Sequence, residues 1–164
     1  MKKFIVVLLV MAACFFVTSG GAAANKKGEE VVVKFTSGEK VLMTAKAELS
    51  PLPSRFTVDG TGYAGYFYAL KKSLGDRAAL AEISPILSVA ISELKENSKV
   101  SPKSAEVVFG KNGFSYTDAV SGLRVDEEKT INELIKNLNG RNVVVNVIFE
   151  KVRAETEISD LKKI

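Results

Sequence analysis

The residue types available to this chain limit the chemistry that it can perform. The 164-residue sequence contains no histidine and a single cysteine, Cys14. Without histidine, a Ser-His-Asp or Cys-His arrangement for nucleophilic catalysis and a histidine-ligated zinc site are excluded. Carboxylate pairs could still do acid–base work, which requires the two groups to be held on opposite sides of a substrate.

Two pairs of neighbouring carboxylates occur in the second half of the chain. Glu127 and Glu128 follow Asp126 at a predicted helix start, where acidic side chains complement the helix dipole. Glu155 and Glu157 lie in a polar stretch near the end. Both pairs are explained without catalysis, and no oxygen-rich loop has EF-hand spacing. We therefore predict no enzyme, no metal and no cofactor; two carboxylates facing each other in a cleft, one with a raised pKa, would indicate the opposite.

A glycine motif at residues 60–65 has the spacing G-x-G-x-x-G, which can bring backbone amides close to a pyrophosphate. The alternative is a glycine-rich turn that leads into an aromatic helix. The rest of the chain does not supply the repeated strand–helix units of a dinucleotide-binding fold, so we favour the turn.

The segment that follows this motif contains the candidate ligand-binding residues. It is rich in aromatic side chains and ends with two lysines. Aromatic faces can stack on sugar rings, and tyrosine hydroxyls and lysine ammonium groups can bind an anionic glycan. The candidate site is Tyr63, Tyr66 and Lys72. The alternative is that Phe67 and Leu70 are core residues and the tyrosines lie half exposed above them.

Residues 1–24 have the pattern of a secretory signal peptide. Lys2 and Lys3 precede an apolar run at 4–17, and three alanines at 22–24 provide a cleavage site. The run is shorter than the ~20 apolar residues needed to cross a bilayer. Cys14 follows Met-Ala-Ala in a spacing similar to a lipobox, so lipidation at Cys14 is the alternative to cleavage. Membrane contact is expected only through this segment.

Cleavage after residue 24 leaves a single domain of residues 25–164, exported to the cell envelope or secreted. This chain is long enough to bury a sizeable core. The full chain has a net charge of +4, and loss of Lys2 and Lys3 leaves 21 basic against 19 acidic residues, or +2. Such a weak charge does not indicate a nucleic-acid partner.

Periodicity predicts strands and helices in no strict alternation. Strands are expected at 30–36, 39–45, 55–58, 105–109, 114–117 and 142–150, with the first two forming a hairpin around Ser37 and Gly38. Ser84 and Pro85 start a predicted helix, Asp126 starts another that stops at Gly140, and Gly75 has the position of a helix C-cap. The fold class is therefore α+β: a small mixed sheet of short strands packed with two or three amphipathic helices.

Residues 85–164 carry a family resemblance. A helix precedes Ser-Pro-Lys-Ser-Ala-Glu-Val at 101–107, Phe114 and Ser-Gly-Leu-Arg-Val-Asp at 121–126. An amphipathic helix, a valine-rich strand and Glu-Thr-Glu-Ile-Ser-Asp-Leu at 155–161 follow. In this order and spacing the segment resembles the peptidoglycan-binding domain of VanW-like, vancomycin-resistance accessory proteins and of the N-terminal side of some L,D-transpeptidases. The chain lacks the proline common in the family's exit strand.

The resemblance implies an exported, non-catalytic module of the bacterial cell envelope that binds or is positioned against peptidoglycan. It names no ligand residue. The alternative from another class is a structural or adaptor module that uses its strand edges to orient a partner envelope protein or enzyme.

Overall fold

The computed structural model of the protein describes residues 28–111 and 113–161. The predicted signal peptide and Cys14 lie outside these residues. The strands are β1 (Glu29–Ser37), β2 (Lys40–Leu49), β3 (Glu106–Gly110), β4 (Gly113–Thr117), β5 (Gly122–Val125), β6 (Asn142–Asn146) and β7 (Phe149–Val152). The helices are α1 (Ser54–Val58), α2 (Gly62–Leu74), α3 (Asp76–Ile83), α4 (Pro85–Asn97), α5 (Glu127–Asn137) and α6 (Ile158–Leu161). The α+β fold class is confirmed.

A three-stranded sheet in the order β2–β1–β6 forms one layer of the core. β1 pairs with β2 antiparallel and with β6 parallel. Because side chains alternate along a strand, one face of this sheet is apolar and the other is mostly polar. The apolar face consists of Val31, Val33, Phe35, Ala45, Ala47, Leu49, Val143 and Val145, all buried.

Helices α2 to α5 supply the second layer, which covers the apolar face. Each helix contributes side chains to one continuous core, among them Phe67, Leu80, Leu87 and Ile131, none of which is exposed. α4 begins as expected: the Ser84 hydroxyl accepts a hydrogen bond from the Leu87 amide, and proline occupies the first helical position.

The chain crosses from the three-stranded sheet to a second sheet at Val147 and Ile148. The Val147 amide donates to the Thr36 carbonyl at 2.8 Å, which continues the pairing of β6 with β1. The Ile148 amide donates to the Thr130 hydroxyl at 3.2 Å, and the Ile148 carbonyl accepts from the Asp126 amide at 2.8 Å. The crossing is therefore hydrogen-bonded to β1 on one side and to the start of α5 on the other.

The second sheet pairs β5 with β7 antiparallel. Isolated bridges at Val100–Leu123 and Lys103–Val120 lie on the other side of β5. The β3–β4 hairpin follows Lys103 and forms a separate two-stranded sheet. Its base is fixed by a hydrogen bond from the Ala105 amide to the Thr156 carbonyl at 2.9 Å, and β3 packs against α6.

Several local predictions are correct. The first two strands form a hairpin around Gly38, which has a φ of 59°. Gly75 follows α2 with a φ of 80°, a conformation that glycine adopts without strain. The Asp126 carboxylate caps α5 by accepting from the Lys129 amide at 3.1 Å. The expected strands at 105–109 and 114–117 pair as β3 and β4.

Other local predictions are wrong. Residues 55–58 form helix α1 instead of a strand, with Phe56 buried against α2. The single strand expected at 142–150 is divided into β6 and β7, because residues 147–148 change sheets. α5 ends at Asn137, three residues before Gly140, and α3 and β5 were not predicted.

Residues 85–164, which carry the family resemblance, depend on the first half of the chain for their packing. β6 has β1 as its partner, and Val143 and Val145 are buried beneath helices from both halves. We predict that residues 85–164 alone do not unfold cooperatively, whereas residues 25–164 give one sigmoidal urea transition. Circular dichroism checks this prediction. A cooperative transition of the shorter chain with the same helical signal per residue would contradict it.

Candidate functional site

Helix α2 begins at the glycine motif and presents the candidate tyrosines. Gly60 and Gly62 have φ values of 69° and 59°, which residues with a side chain rarely adopt. A helix, α1, precedes the motif, and this differs from the strand–turn–helix context of a dinucleotide site. The motif therefore serves as a turn between α1 and α2. Phe67 is fully buried and fixes α2 on the core.

Tyr63 lies half-buried at the start of α2, and its hydroxyl has a structural partner. The hydroxyl donates to the Ser50 carbonyl at 2.8 Å. The Ser50 amide donates to the Ile83 carbonyl at 2.7 Å, so Tyr63 belongs to a junction of β2, α2 and α3. Burial, followed by the negative charge of Glu29, raises the pKa of Tyr63. The phenol therefore stays protonated at neutral pH and can donate this bond.

An open cleft of about 320 Å³ adjoins Tyr63. The beginning of α2 forms one wall, and the end of α5 with the residues after it forms the other. Its volume is at the lower limit of small-molecule sites. The polar residues that line it are Glu29, Thr61, Tyr63, Lys136 and Asn139. A carboxylate, an ammonium group, an amide and hydroxyls can together bind a polar ligand through hydrogen bonds.

The structure does not bring the three predicted site residues to one surface. Tyr66 is half-buried, with its ring centroid 5.3 Å from that of Phe56, so it helps pack α1 on α2. Lys72 is exposed and makes no ion pair within the described ranges. Lys72 is nine positions after Tyr63, or two and a half turns at ~3.6 residues per turn, so the two residues lie on opposite sides of α2. Of the three, only Tyr63 lines the cleft.

The carboxylates proposed as acid–base candidates are separated or already paired. The Glu127 carboxylate accepts from Arg77 at 2.7 Å and from Lys95 at 3.0 Å, which links α5 to α3 and α4. Burial raises the pKa of Glu127, but these two hydrogen bonds outweigh burial and hold the pKa below its usual range. Glu128 lies 3.2 Å from the Lys71 ammonium group. Glu155 and Glu157 are exposed.

Two other classes of site are not found in the part of the chain that the structure describes. Within residues 28–111 and 113–161, histidine, cysteine, aspartate and glutamate side chains form no group of three that could hold a metal. None of the helices described there has the length and apolar character needed to cross a membrane.

Among the residues that the structure describes, the most exposed aromatic side chains lie on the β3–β4 hairpin, and no role was predicted for them from the sequence. Phe109 is 75% exposed and Phe114 is 66% exposed, and their ring centroids are 4.5 Å apart. The two residues are cross-strand partners. Alternation along the hairpin places Val107, Phe109, Phe114 and Tyr116 on one face, which we call the hairpin face. Pairing these predicted strands in register would have revealed this face.

Comparison with known proteins gives one family match. The family described as "Putative peptidoglycan binding domain" matches residues 86–162, just under half of the chain. No curated protein and no solved structure matches the chain. The match supports peptidoglycan binding, whereas a relation to VanW-like proteins or L,D-transpeptidases stays a prediction. The matched segment includes the whole hairpin face and the α5 wall of the cleft.

Replacing Tyr63 with phenylalanine tests its structural role. Tyr63→Phe removes the hydroxyl and leaves the Ser50 carbonyl without this donor, so we expect a loss of about 1 kcal/mol in the free energy of unfolding. Urea denaturation measures the loss. The exposed Tyr68 on the same helix is the matched control, and Tyr68→Phe should change stability by less than about 0.5 kcal/mol. Equal effects of the two variants would contradict the role of Tyr63.

The ion pairs of Glu127 should make stability depend on pH. Because the pKa of Glu127 is lowered on folding, its contribution is complete above the unfolded value of about 4.3 and is lost as pH falls through the folded value. Glu127→Gln should therefore reduce the free energy of unfolding by about 1 kcal/mol at pH 7, since Arg77 and Lys95 are both partly exposed. Urea denaturation should show the difference shrinking below pH 4. A difference that stays constant from pH 7 to pH 3 would count against this ion pairing.

Proposed function

We propose that this protein is an exported, non-catalytic module of the bacterial cell envelope that binds peptidoglycan. The family match over residues 86–162 is the observation that carries the proposal. Export is supported by the basic, apolar and small-residue pattern of residues 1–24. A peptidoglycan ligand is consistent with export, because peptidoglycan lies outside the cytoplasmic membrane.

The arrangement of charged side chains supports binding without catalysis. A glycosidase needs two carboxylates across the scissile bond, one of them with a raised pKa. Among the carboxylates that the sequence suggested, Glu127 has two cationic partners, Arg77 and Lys95, and its pKa is lowered. This is the environment of a structural ion pair.

We propose that helix α2 and the adjoining cleft contribute to ligand contact through Tyr63, Tyr66 and Lys72. Peptidoglycan offers sugar hydroxyls, acetamido groups, peptide amides and carboxylates. The cleft beside Tyr63 contains donors and acceptors for such groups, including Lys136 and Asn139. Lys72 is an exposed cation that can approach a stem-peptide carboxylate from the other side of α2. In this arrangement the half-buried Tyr66 packs on Phe56 with part of its ring and offers the exposed part to the ligand.

The binding unit that we propose is a single domain of residues 25–164, which is longer than the matched segment. β6 lies inside the match and β1 lies outside it, yet they pair in one sheet. The cleft also has one wall from each part: Gly60 to Ala64 lie before the match, and Ile135 to Gly140 lie within it.

Sedimentation with purified, insoluble peptidoglycan tests the proposal. Residues 25–164 should sediment with peptidoglycan at low and moderate salt. The supernatant should contain no muropeptides released from the peptidoglycan during incubation. A Tyr63→Leu, Tyr66→Leu, Lys72→Ala variant that circular dichroism shows to be folded should sediment at least about tenfold more weakly, since interface anchors typically contribute about 1 kcal/mol or more each. The control is Lys40→Ala with Val41→Ala, which changes an exposed lysine and an exposed apolar residue at the turn end of β1 and β2, opposite to the end that lines the cleft.

Each result has a separate meaning. If the wild-type chain stays in the supernatant, peptidoglycan binding is wrong, and the adaptor alternative becomes the better proposal. β2 and β6 are the two edges of the main sheet and could receive a partner strand. If the wild type and the α2 variant sediment equally, binding stands and the α2 contact is wrong. Release of muropeptides would contradict the non-catalytic role.

A further inference from the structure

The hairpin face is an apolar surface that the rest of the described chain does not cover. Tyr116 is 42% exposed, and with Phe109 and Phe114 it forms a row of three aromatic side chains. The register pairs Phe109 with Phe114 and Val107 with Tyr116. The opposite face of the hairpin carries Glu106, Val108, Ser115 and Thr117, so the two faces differ in polarity.

Such exposure gives the folded chain little stabilisation. A phenylalanine that stays three-quarters exposed contributes little apolar burial, and an isolated two-stranded hairpin is marginally stable in water. By contrast, Phe35 and Phe67 are fully buried in the core. The exposed rings on the hairpin therefore indicate a contact surface.

We propose that the hairpin face binds the sugar rings of peptidoglycan glycan strands; this inference rests on the proposed function. Of the four aromatic residues in the matched segment, three lie on this face, and the fourth, Phe149, packs against the core. The face of an aromatic ring is electron-rich and attracts the weakly positive C–H groups on the face of a sugar ring. Contact between the two flat surfaces adds dispersion attraction.

The geometry of the row suits a chain of linked sugars. Phe114 and Tyr116 are two residues apart on one strand, which places their Cα atoms ~7 Å apart. The Phe109 and Phe114 rings are inclined by 60° to each other and are 75% and 66% exposed, so both keep ring surface accessible to a ligand. The Tyr116 hydroxyl makes no hydrogen bond within residues 28–111 and 113–161 and can bind an acetamido or hydroxyl group.

Charge and area argue against two other occupants. A bilayer contact of this size needs a second signal such as a polybasic patch, but the only cation between Lys103 and Arg124 is Lys111, accompanied by Glu106 and Asp118. The three exposed rings present roughly 400 Å² of surface, judged from ~200 Å² per aromatic side chain. A stable dimer needs ~800 Å² from each partner.

Ring removal without loss of apolar character is the test. Phe109→Leu with Phe114→Leu keeps two large aliphatic side chains and deletes both rings. Phe109→Tyr with Phe114→Tyr keeps the rings and is the matched control. Both variants, and the wild type, are titrated as residues 25–164 against insoluble peptidoglycan and against glycan strands from which an amidase has removed the stem peptides. Circular dichroism and urea denaturation establish that each variant is folded.

We expect the leucine variant to bind both ligands at least about tenfold more weakly than the wild type, and the tyrosine variant to bind within about twofold. Equal binding by the leucine variant and the wild type would overturn the hairpin assignment and leave peptidoglycan binding intact. Ring-dependent binding to intact peptidoglycan but not to stripped glycan would also overturn it, because the ligand would then be the stem peptide.

Two further measurements exclude the other occupants. Cosedimentation with anionic phospholipid vesicles measures membrane binding, and sedimentation equilibrium without vesicles measures self-association. Both are applied to the wild type and to Phe109→Ser with Phe114→Ser, which removes the apolar character of the face. Vesicle binding or self-association of the wild type that the serine variant loses, together with no loss of glycan binding by the leucine variant, assigns the face to a membrane or to a second copy and overturns the proposal. Failure of the wild type to bind any peptidoglycan overturns both this inference and the proposed function.

Discussion

The fold depends on the short crossing at Val147 and Ile148, where one continuous stretch of chain leaves the three-stranded sheet and enters the second sheet. Backbone groups at such a crossing leave the regular strand ladder, and a buried amide without a partner costs about 1–3 kcal/mol. Here Thr36 accepts from Val147 and the buried Thr130 hydroxyl accepts from Ile148. A hydroxyl on α5 therefore completes the backbone hydrogen bonding between the two sheets.

This constraint fixes the position of α5, and α5 in turn positions much of the helical layer. Asp126 caps the helix with its carboxylate and donates its amide to the crossing, so the start of α5 is held against the crossing. Glu127 in that turn then meets Arg77 of α3 and Lys95 of α4. The end of the same helix forms a wall of the cleft beside Tyr63. The core, the ion pairs and the cleft are thus consequences of one docking arrangement.

The aromatic residues discussed above form two groups: some are buried and stabilise the fold, and others are exposed and available to a ligand. Phe35, Phe67 and Phe56 are buried, and Tyr66 packs on Phe56. Phe109, Phe114 and Tyr116 extend from a hairpin whose base is held by the Thr156 carbonyl and α6. Because the hairpin contributes little to the main core, its aromatic residues can serve a ligand at a small cost to the fold. The α2 tyrosines do not have this freedom, since their packing and hydrogen bonding also hold the core together.

The sequence by itself determined the local signals of this protein. Ser84-Pro85, Asp126, Gly38 and Gly75 act through their own backbone conformation or that of residues within one turn, and they mark the same boundaries in the structure. The α+β class follows from these elements. Only the tertiary structure decided that residues 55–58 are helical, that Val147 and Ile148 divide a valine-rich run between two sheets, and that Tyr63, Tyr66 and Lys72 diverge around α2. Those outcomes depend on partners distant in sequence, such as Thr36 for Val147 and Ser50 for Tyr63. The exposure of Phe109 and Phe114 was likewise beyond the sequence, because an alternating strand shows which residues share a face and not which face is covered.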